Sequence, residues 1–239
     1  MNVNESVWKP ARLGAALALT AMVALPTASL AGGTVKGKAS YTGAPPAPTK
    51  LAMDADPVCA AAHTTPVMSE EVVVKDGGLQ NVFVYLTGAP SKPAPTTPVT
   101  IDQQGCQYHP HVLGIQVGQP LQILNSDQTL HNIHGMPKKN PQFNFAMPKF
   151  VKQKETTFAT PETMVAVKCD VHPWMAGTVF VMDNPFFAVT GADGTFTIPG
   201  LPAGDYTVDA WHEKYGTQNA KAKVDANGTA TADFKFKAS

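Results

Sequence analysis

The sequence predicts an all-β protein made of two small β-sandwich units, and three observations carry that expectation. Short runs of alternating apolar and polar residues recur along the chain; 19 glycines and 21 prolines punctuate its 239 residues; and no stretch shows a long amphipathic helical period. The alternation is plainest in 229–236. There Ala230, Ala232, Phe234 and Phe236 fall on one face and Thr229, Thr231, Asp233 and Lys235 on the other, as a half-buried strand requires.

Taken in order, the chain opens with Lys9 and Arg12, an apolar run from Leu13 to Leu25, and small residues at Ser29 and Ala31. This has the form of a secretory signal peptide, residues 1–31, cut after Ala31. The run is too short to cross a bilayer, and nothing later approaches the roughly 20 apolar residues that a spanning helix needs, so the mature protein is expected to lack a membrane span. Strands are predicted at 34–41, 70–75, 80–87, 111–117, 121–125, 163–169, 177–182, 186–190, 195–198, 205–211, 220–225 and 229–236, each bounded by Gly, Pro, Asn or Asp. Asn227-Gly228 ahead of the last strand predicts a tight hairpin. The Pro-rich stretch 89–98 reads as an extended connector and Asp183-Asn184-Pro185 as a second break, leaving 86 residues from Pro98 to Asp183 for one compact unit.

The formal charge is zero, falling to minus one once Glu5, Lys9 and Arg12 leave with the first 31 residues. Arg12 is the only arginine, so the mature chain lacks the planar fork suited to phosphates and base edges, and nucleic acid is excluded as a partner.

The most informative segment is Cys169-Asp170-Val171-His172-Pro173-Trp174-Met175, which places a thiol, an imidazole and a thioether in one short loop between two predicted strands. With one further imidazole these make the two-His, one-Cys trigonal set with a weak axial Met that holds type 1 copper for electron transfer. His131 supplies it. A zinc site more often takes a fourth Cys or His than a Met. His109-Pro110-His111 is a lone His-x-His pair and cannot build a trinuclear oxidase centre; Trp211-His212 reads as a strand end.

Three cysteines in an exported chain leave one unpaired. With Cys169 assigned to metal, Cys59 and Cys106 form the expected disulfide. The competing reading joins Cys59 and His63 with Cys106, His109 and His111 in a second metal site.

Residues 111–182 resemble a cupredoxin. The Cys-x2-His-x2-Met loop at 169–175 is similar to that of amicyanin-like members, and Leu130-His131-Asn132-Ile133-His134 resembles the segment carrying their upstream histidine. The resemblance implies a cupredoxin Greek-key β-sandwich over 98–183 and copper held by His131, Cys169, His172 and Met175. It also implies that the backbone N–H at Asn132 faces the cysteine sulfur, where it would tune the potential. His134 is expected at the surface nearby. A second resemblance covers 186–212, where Asp193-Gly194-x-Phe-x-Ile followed by Leu201-Pro202-Ala203-Gly204-x-Tyr-x-Val looks like a carboxypeptidase regulatory-like module. Only 55 residues follow Asn184, too few for that module, and residues 33–41 and 81–86 look like its missing early strands. The expected layout is N-terminal strands at 32–97, a cupredoxin at 98–183 inserted in a split sandwich, and the regulatory-like module at 184–239. The plainer layout gives the cupredoxin an N-terminal extension and a short C-terminal appendage.

Together these imply a periplasmic or secreted one-electron carrier that is not an enzyme, with a copper carrier or sensor as the alternative role. His172 is expected in the exposed tip of the loop, as the electron's exit. Between His131 and Lys168, six lysines (138, 139, 149, 152, 154 and 168) stand against Glu155 and Glu162, which points to an acidic redox partner.

Overall fold

The computed structural model describes Met1 and residues 32–238; the signal-peptide reading falls on 2–31, outside the described residues. Among the described residues no helix is long and apolar enough to cross a membrane.

The chain folds in three successive blocks. The first holds β1 (Gly33–Thr42), a 3-10 turn (Met53–Ala55), α1 (Pro57–Ala61), β2 (Val74–Lys75), β3 (Gly78–Leu79) and β4 (Phe83–Thr87). The second runs β5 (Val99–Gln104), β6 (Gln107–His109), β7 (Val112–Gln116), β8 (Leu121–Asn125), β9 (His131–Met136), β10 (Phe143–Met147), β11 (Gln153–Thr156), β12 (Glu162–Lys168) and β13 (Ala176–Met182). The third holds β14 (Phe187–Val189), β15 (Thr195–Leu201), β16 (Gly204–His212), β17 (Gly216–Val224), β18 (Thr229–Thr231) and β19 (Phe234–Lys237). The expectation of a nearly all-β, sandwich-like protein holds.

Strands from the two ends of the chain share their sheets. One sheet has the order β15-β1-β3-β2, with β18 and β19 also on β1, and the other has β14-β4-β16-β17. Their inward residues, including Val35, Leu79, Val84, Ile198, Val208 and Phe234, form one core. The middle block supplies the sheets β10-β9-β12-β13-β7 and β11-β8-β5-β6, which close over a second core containing Ile101, Ile115, Ile123, Ile133, Val165 and Val179. Between the two lies an aromatic junction, with Phe83 of β4 stacked on Phe180 of β13 at 3.9 Å and Trp211 of β16 edge-on to Phe180 at 5.0 Å. Gly114 of β7 is required there: a Cβ would stand 2.4 Å from the Phe187 ring.

The local sequence departs from its own strand pattern in three places. The hairpin expected at Asn227-Gly228 does not form. Asn227 does take the left-handed turn (φ 58°), but its Oδ1 accepts from Gly32 N, and the chain crosses to run parallel to β1 instead of returning along β17. The strand predicted at 229–236 is then split into β18 and β19 around Asp233, whose carboxylate accepts from Lys38 N at 2.9 Å. The strand predicted at 70–75 shrinks to Val74–Lys75, while β3, β5, β6, β9, β10 and β11 lie outside the predicted strands.

Candidate metal centre

Two antiparallel neighbours, β9 and β12, bring the donors together. His131 opens β9; Cys169 directly follows the last residue of β12; and the loop from Cys169 returns to β13 at Ala176. The loop is closed at its base by Cys169 N donating to Met175 O (3.1 Å) and Met175 N donating to His172 O (3.0 Å), so three side chains from seven residues project from one tight turn.

His131, Cys169 and His172 are all buried, and their donor atoms lie within 4.8 Å of one another. The Nδ1 atoms of the two imidazoles stand 2.9 Å apart, and Cys169 Sγ is 3.7 Å from His172 Nδ1. The opposite nitrogen of each ring is held by a carboxylate: His131 Nε2 donates to Asp127 at 2.9 Å and His172 Nε2 to Asp56 at 3.0 Å. With both Nε2 atoms protonated, the two Nδ1 lone pairs converge. Such a pair is bridged either by a proton or by a cation.

The thiol is tuned toward its anion. Burial pushes the Cys169 pKa up, but the hydrogen bond with His131 and the backbone N–H groups of Asn132, His172 and Val171 outweigh it and bring it down to about 7. Burial likewise depresses His131, yet its hydrogen bonds with Asp127 and Cys169 raise it to about 9. A soft thiolate with two imidazoles in a dry site fits a copper-type ion and does not fit Mg2+ or Ca2+, which take oxygen ligands.

Met175 is buried beside Cys169 in the same core. Asn132 lies against the cysteine by a second route besides its backbone: its Oδ1 accepts from Asp170 N at 2.7 Å and from the Cys169 thiol at 3.2 Å. His134 is half-buried and bonded to Asp170 rather than to the donor cluster.

Cys59 and Cys106 are joined in a disulfide. The competing second metal site is thereby overturned. His63 Nε2 instead meets Gly105 O at 2.7 Å, and His111 lies between Ala176 O and Glu213.

The expected exposure of His172 is also wrong, since its exposure is 2%. The segment carrying the 3-10 turn and α1 lies over it, with Asp56 on its Nε2 and Cys59 Sγ 3.8 Å away, and Trp174 packs on its ring at 5.0 Å. Sequence reasoning missed Asp56 and Asp127. Asp127 stands four residues before His131; Asp56 precedes Pro57 as the N-cap of α1, a signal legible as Asp-Pro.

Residues 178–237 match the family model of the carboxypeptidase regulatory-like domain. Among solved structures, a copper-containing nitrite reductase from Thermus scotoductus is similar at 25% identity, over 41% of this chain and 25% of that chain, with a TM-score of 0.32. The chain thus spans a quarter of the reductase. Two mutants of amicyanin are similar at 19% and 20% identity, over 41% of this chain and 98% of theirs, both with TM-scores of 0.32. This is a weak similarity to copper proteins. No curated protein matches the chain.

Proposed function

We propose that the chain is an exported one-electron carrier, and not an enzyme, that holds one copper ion with His131, Cys169 and His172 and with Met175 as a weak fourth donor. The observation that supports this best is the convergence of two Nδ1 atoms and a thiol of lowered pKa inside a dry core. Copper, when bound, supplies a Cu(II)/Cu(I) couple. The rest is done by the chain. Asp127 and Asp56 fix the ring tautomers, the backbone N–H groups around Cys169 draw charge from its sulfur, and the surrounding apolar side chains exclude water.

In this reading 98–183 forms a cupredoxin unit inserted in a regulatory-like sandwich whose strands come from 32–97 and 184–239. Export to the periplasm or beyond is supported by the disulfide, which persists in oxidising compartments. Since His172 is covered, the electron leaves by the neighbouring surface of Val171, Pro173 and Trp174, where Val171 is exposed and Trp174 half-buried. The partner we propose is an acidic redox protein drawn by the lysines flanking the site.

The test is the visible and electron paramagnetic spectrum of the copper-loaded protein against Cys169→Ser. Intense visible absorption in the parent, abolished in the variant while both keep β circular dichroism, is expected. A colourless parent that binds copper, or a variant that keeps the colour, overturns the assignment.

A further inference from the structure

Each ligand histidine belongs to a chain of hydrogen bonds that ends on a cysteine of the disulfide. On one side Asp56 Oδ1 accepts from Val58 N (2.7 Å) and Cys59 N (3.3 Å), while its Oδ2 accepts from Thr129 Oγ1 and from His172 Nε2, both at 3.0 Å. On the other side Asp127 Oδ1 accepts from Gly105 N at 2.8 Å, and its Oδ2 accepts from Cys106 N at 2.8 Å and His131 Nε2 at 2.9 Å. Because Cys59 and Cys106 are covalently joined, the two chains close into a ring: disulfide, Asp56, His172, the metal donors, His131, Asp127, disulfide.

The two halves are alike in chemistry and unlike in origin. Asp127 lies in the short loop between β8 and β9 and is carried by the same sheets as His131. Asp56 comes from the connector between β1 and β2, a segment of the other sandwich, and reaches His172 only because that connector is folded over the loop. A carboxylate on the far nitrogen of a ligand imidazole fixes which nitrogen is free, orients the ring and makes it a stronger donor. When both imidazoles are so held, the site carries two nearby negative charges that favour the more positive metal state.

We infer that Asp56 and Asp127 are paired positioning residues, each of which holds the Nε2 of its own imidazole so that Nδ1 faces the donor cluster, and that they set the metal couple low, with the disulfide-bound connector supplying the half that the metal-binding unit lacks. This rests on the copper reading for its electrochemical consequence; the imidazole lock does not depend on any metal.

The experiment therefore has two arms. In metal-free protein, nitrogen-15 NMR of the imidazoles in the parent should find His172 with its proton on Nε2, and Asp56→Ala should lose that uniform state while His131 keeps its own. In copper-loaded protein, Asp56→Asn and Asp127→Asn should each lower Cu(II) affinity about 10- to 100-fold. With Cu(I) affinity unchanged, that raises the potential by about 59 mV per tenfold. The two rises should add in the double variant, because each carboxylate serves its own ring. A parent with the His172 proton on Nδ1, or variants whose potentials stay at the parent value while copper is retained, overturns the inference. If the parent gives no copper colour the proposed function fails, and the NMR arm still decides the lock. Circular dichroism of Asp56→Asn guards against misfolding, since asparagine keeps the carboxylate's shape.

Discussion

Removing the disulfide gives the sharpest test of how the covering connector is held. Cys59 and Cys106 are 47 residues apart in sequence, so the bond closes a long loop in the unfolded chain. The chain-entropy relation for a loop of that size gives about 4 kcal/mol at 25 °C. For a protein of this length each kcal/mol shifts the midpoint by about 2–4 °C, so Cys59→Ala/Cys106→Ala should melt about 8–16 °C below the oxidised parent. Other bonds on the connector remain in the variant. Leu51 N still donates to Val67 O (2.9 Å), Ser69 N to Thr49 O (2.8 Å) and Thr129 to Asp56 (3.0 Å). The native fold is therefore expected to survive, and the loss comes mainly from the freed unfolded state. The assay is urea and thermal unfolding of metal-free protein, followed by circular dichroism, with amide exchange over residues 51–62 as a local readout. A loss below about 1 kcal/mol with unchanged protection would refute the argument, because it would mean that the disulfide restrains the unfolded chain far less than the loop-closure relation requires.

Two further outcomes are expected. Burial disfavours a charged His111, but its hydrogen bond and charge interaction with Glu213 at 2.9 Å outweigh this and raise its pKa above 6.5. The pair's contribution, about 1 kcal/mol, is thus fully present below pH 6.5 and lost as pH rises through the folded value. The parent should exceed Glu213→Gln in midpoint at pH 5.5 and lose that advantage as pH rises through the raised value, while His212, lowered to about 4 mainly by burial and also by the His111 charge, stays neutral in the parent over this range; a gap that widens with pH would contradict it. Electron transfer to an acidic partner should slow as salt rises, since charges are screened over about 8 Å at physiological ionic strength; a rate flat in salt would remove the lysines from docking. Lys168 is already paired with Asp170 at 3.1 Å, and Glu162 is buried on the backbone of Lys138, Lys139 and Asn140, so the effective patch differs from the one counted along the chain.

The grouping of His131, Cys169 and His172 was legible in the sequence because most of its signal is local. Cys169, His172 and Met175 lie in seven residues, and the loop between β12 and β13 needs only two strand ends to present them. The sequence carried the second sandwich through a motif whose turn survives in the structure: Gly194 takes φ 77° and Asp193 Oδ1 accepts from Thr195 N at 3.0 Å. What failed was nonlocal. In β9 the histidines and Asn132 stand out in the sequence more than the strand period does, although His131, Ile133 and Gly135 share its buried face. β5 and β6 follow a Pro-rich stretch and are rich in Gln, so their partners rather than their propensities define them. The Asn-Gly turn fixed a bend without fixing which strand the chain would meet next, since β1 offers a free edge and β17 does not capture it. The covering of His172 was beyond any local pattern, because it joins positions 116 residues apart.

That covering also gives the two-sandwich arrangement a physical purpose. Without Asp56 and the connector over it, His172 would present its far nitrogen to water and competing ligands. Here β1 leaves the first sandwich, and the connector of residues 43–73 crosses to the second before returning as β2. A free connector of that length would lose its conformational entropy with little apolar burial to offset it. Its fastenings include the Lys50–Met68 bridge at its neck, Asp56 on His172 and Thr129, Cys59 on Cys106, and His63 on Gly105 O. Because β1 is paired along its whole length with β15, β18 and β19, the connector's root is fixed by strands from the far end of the chain. The aromatic junction of Phe83, Phe180 and Trp211 then ties β4 and β16 of the first sandwich to β13, the strand that follows the loop. Cutting the third block away would unseat β1, and with it the carboxylate over His172, even though among the described residues none after 182 is hydrogen-bonded to the side chains of His131, Cys169 or His172. The closed state of the His131, Cys169 and His172 cluster is in this sense a property of both sandwiches and not only of the unit that carries it.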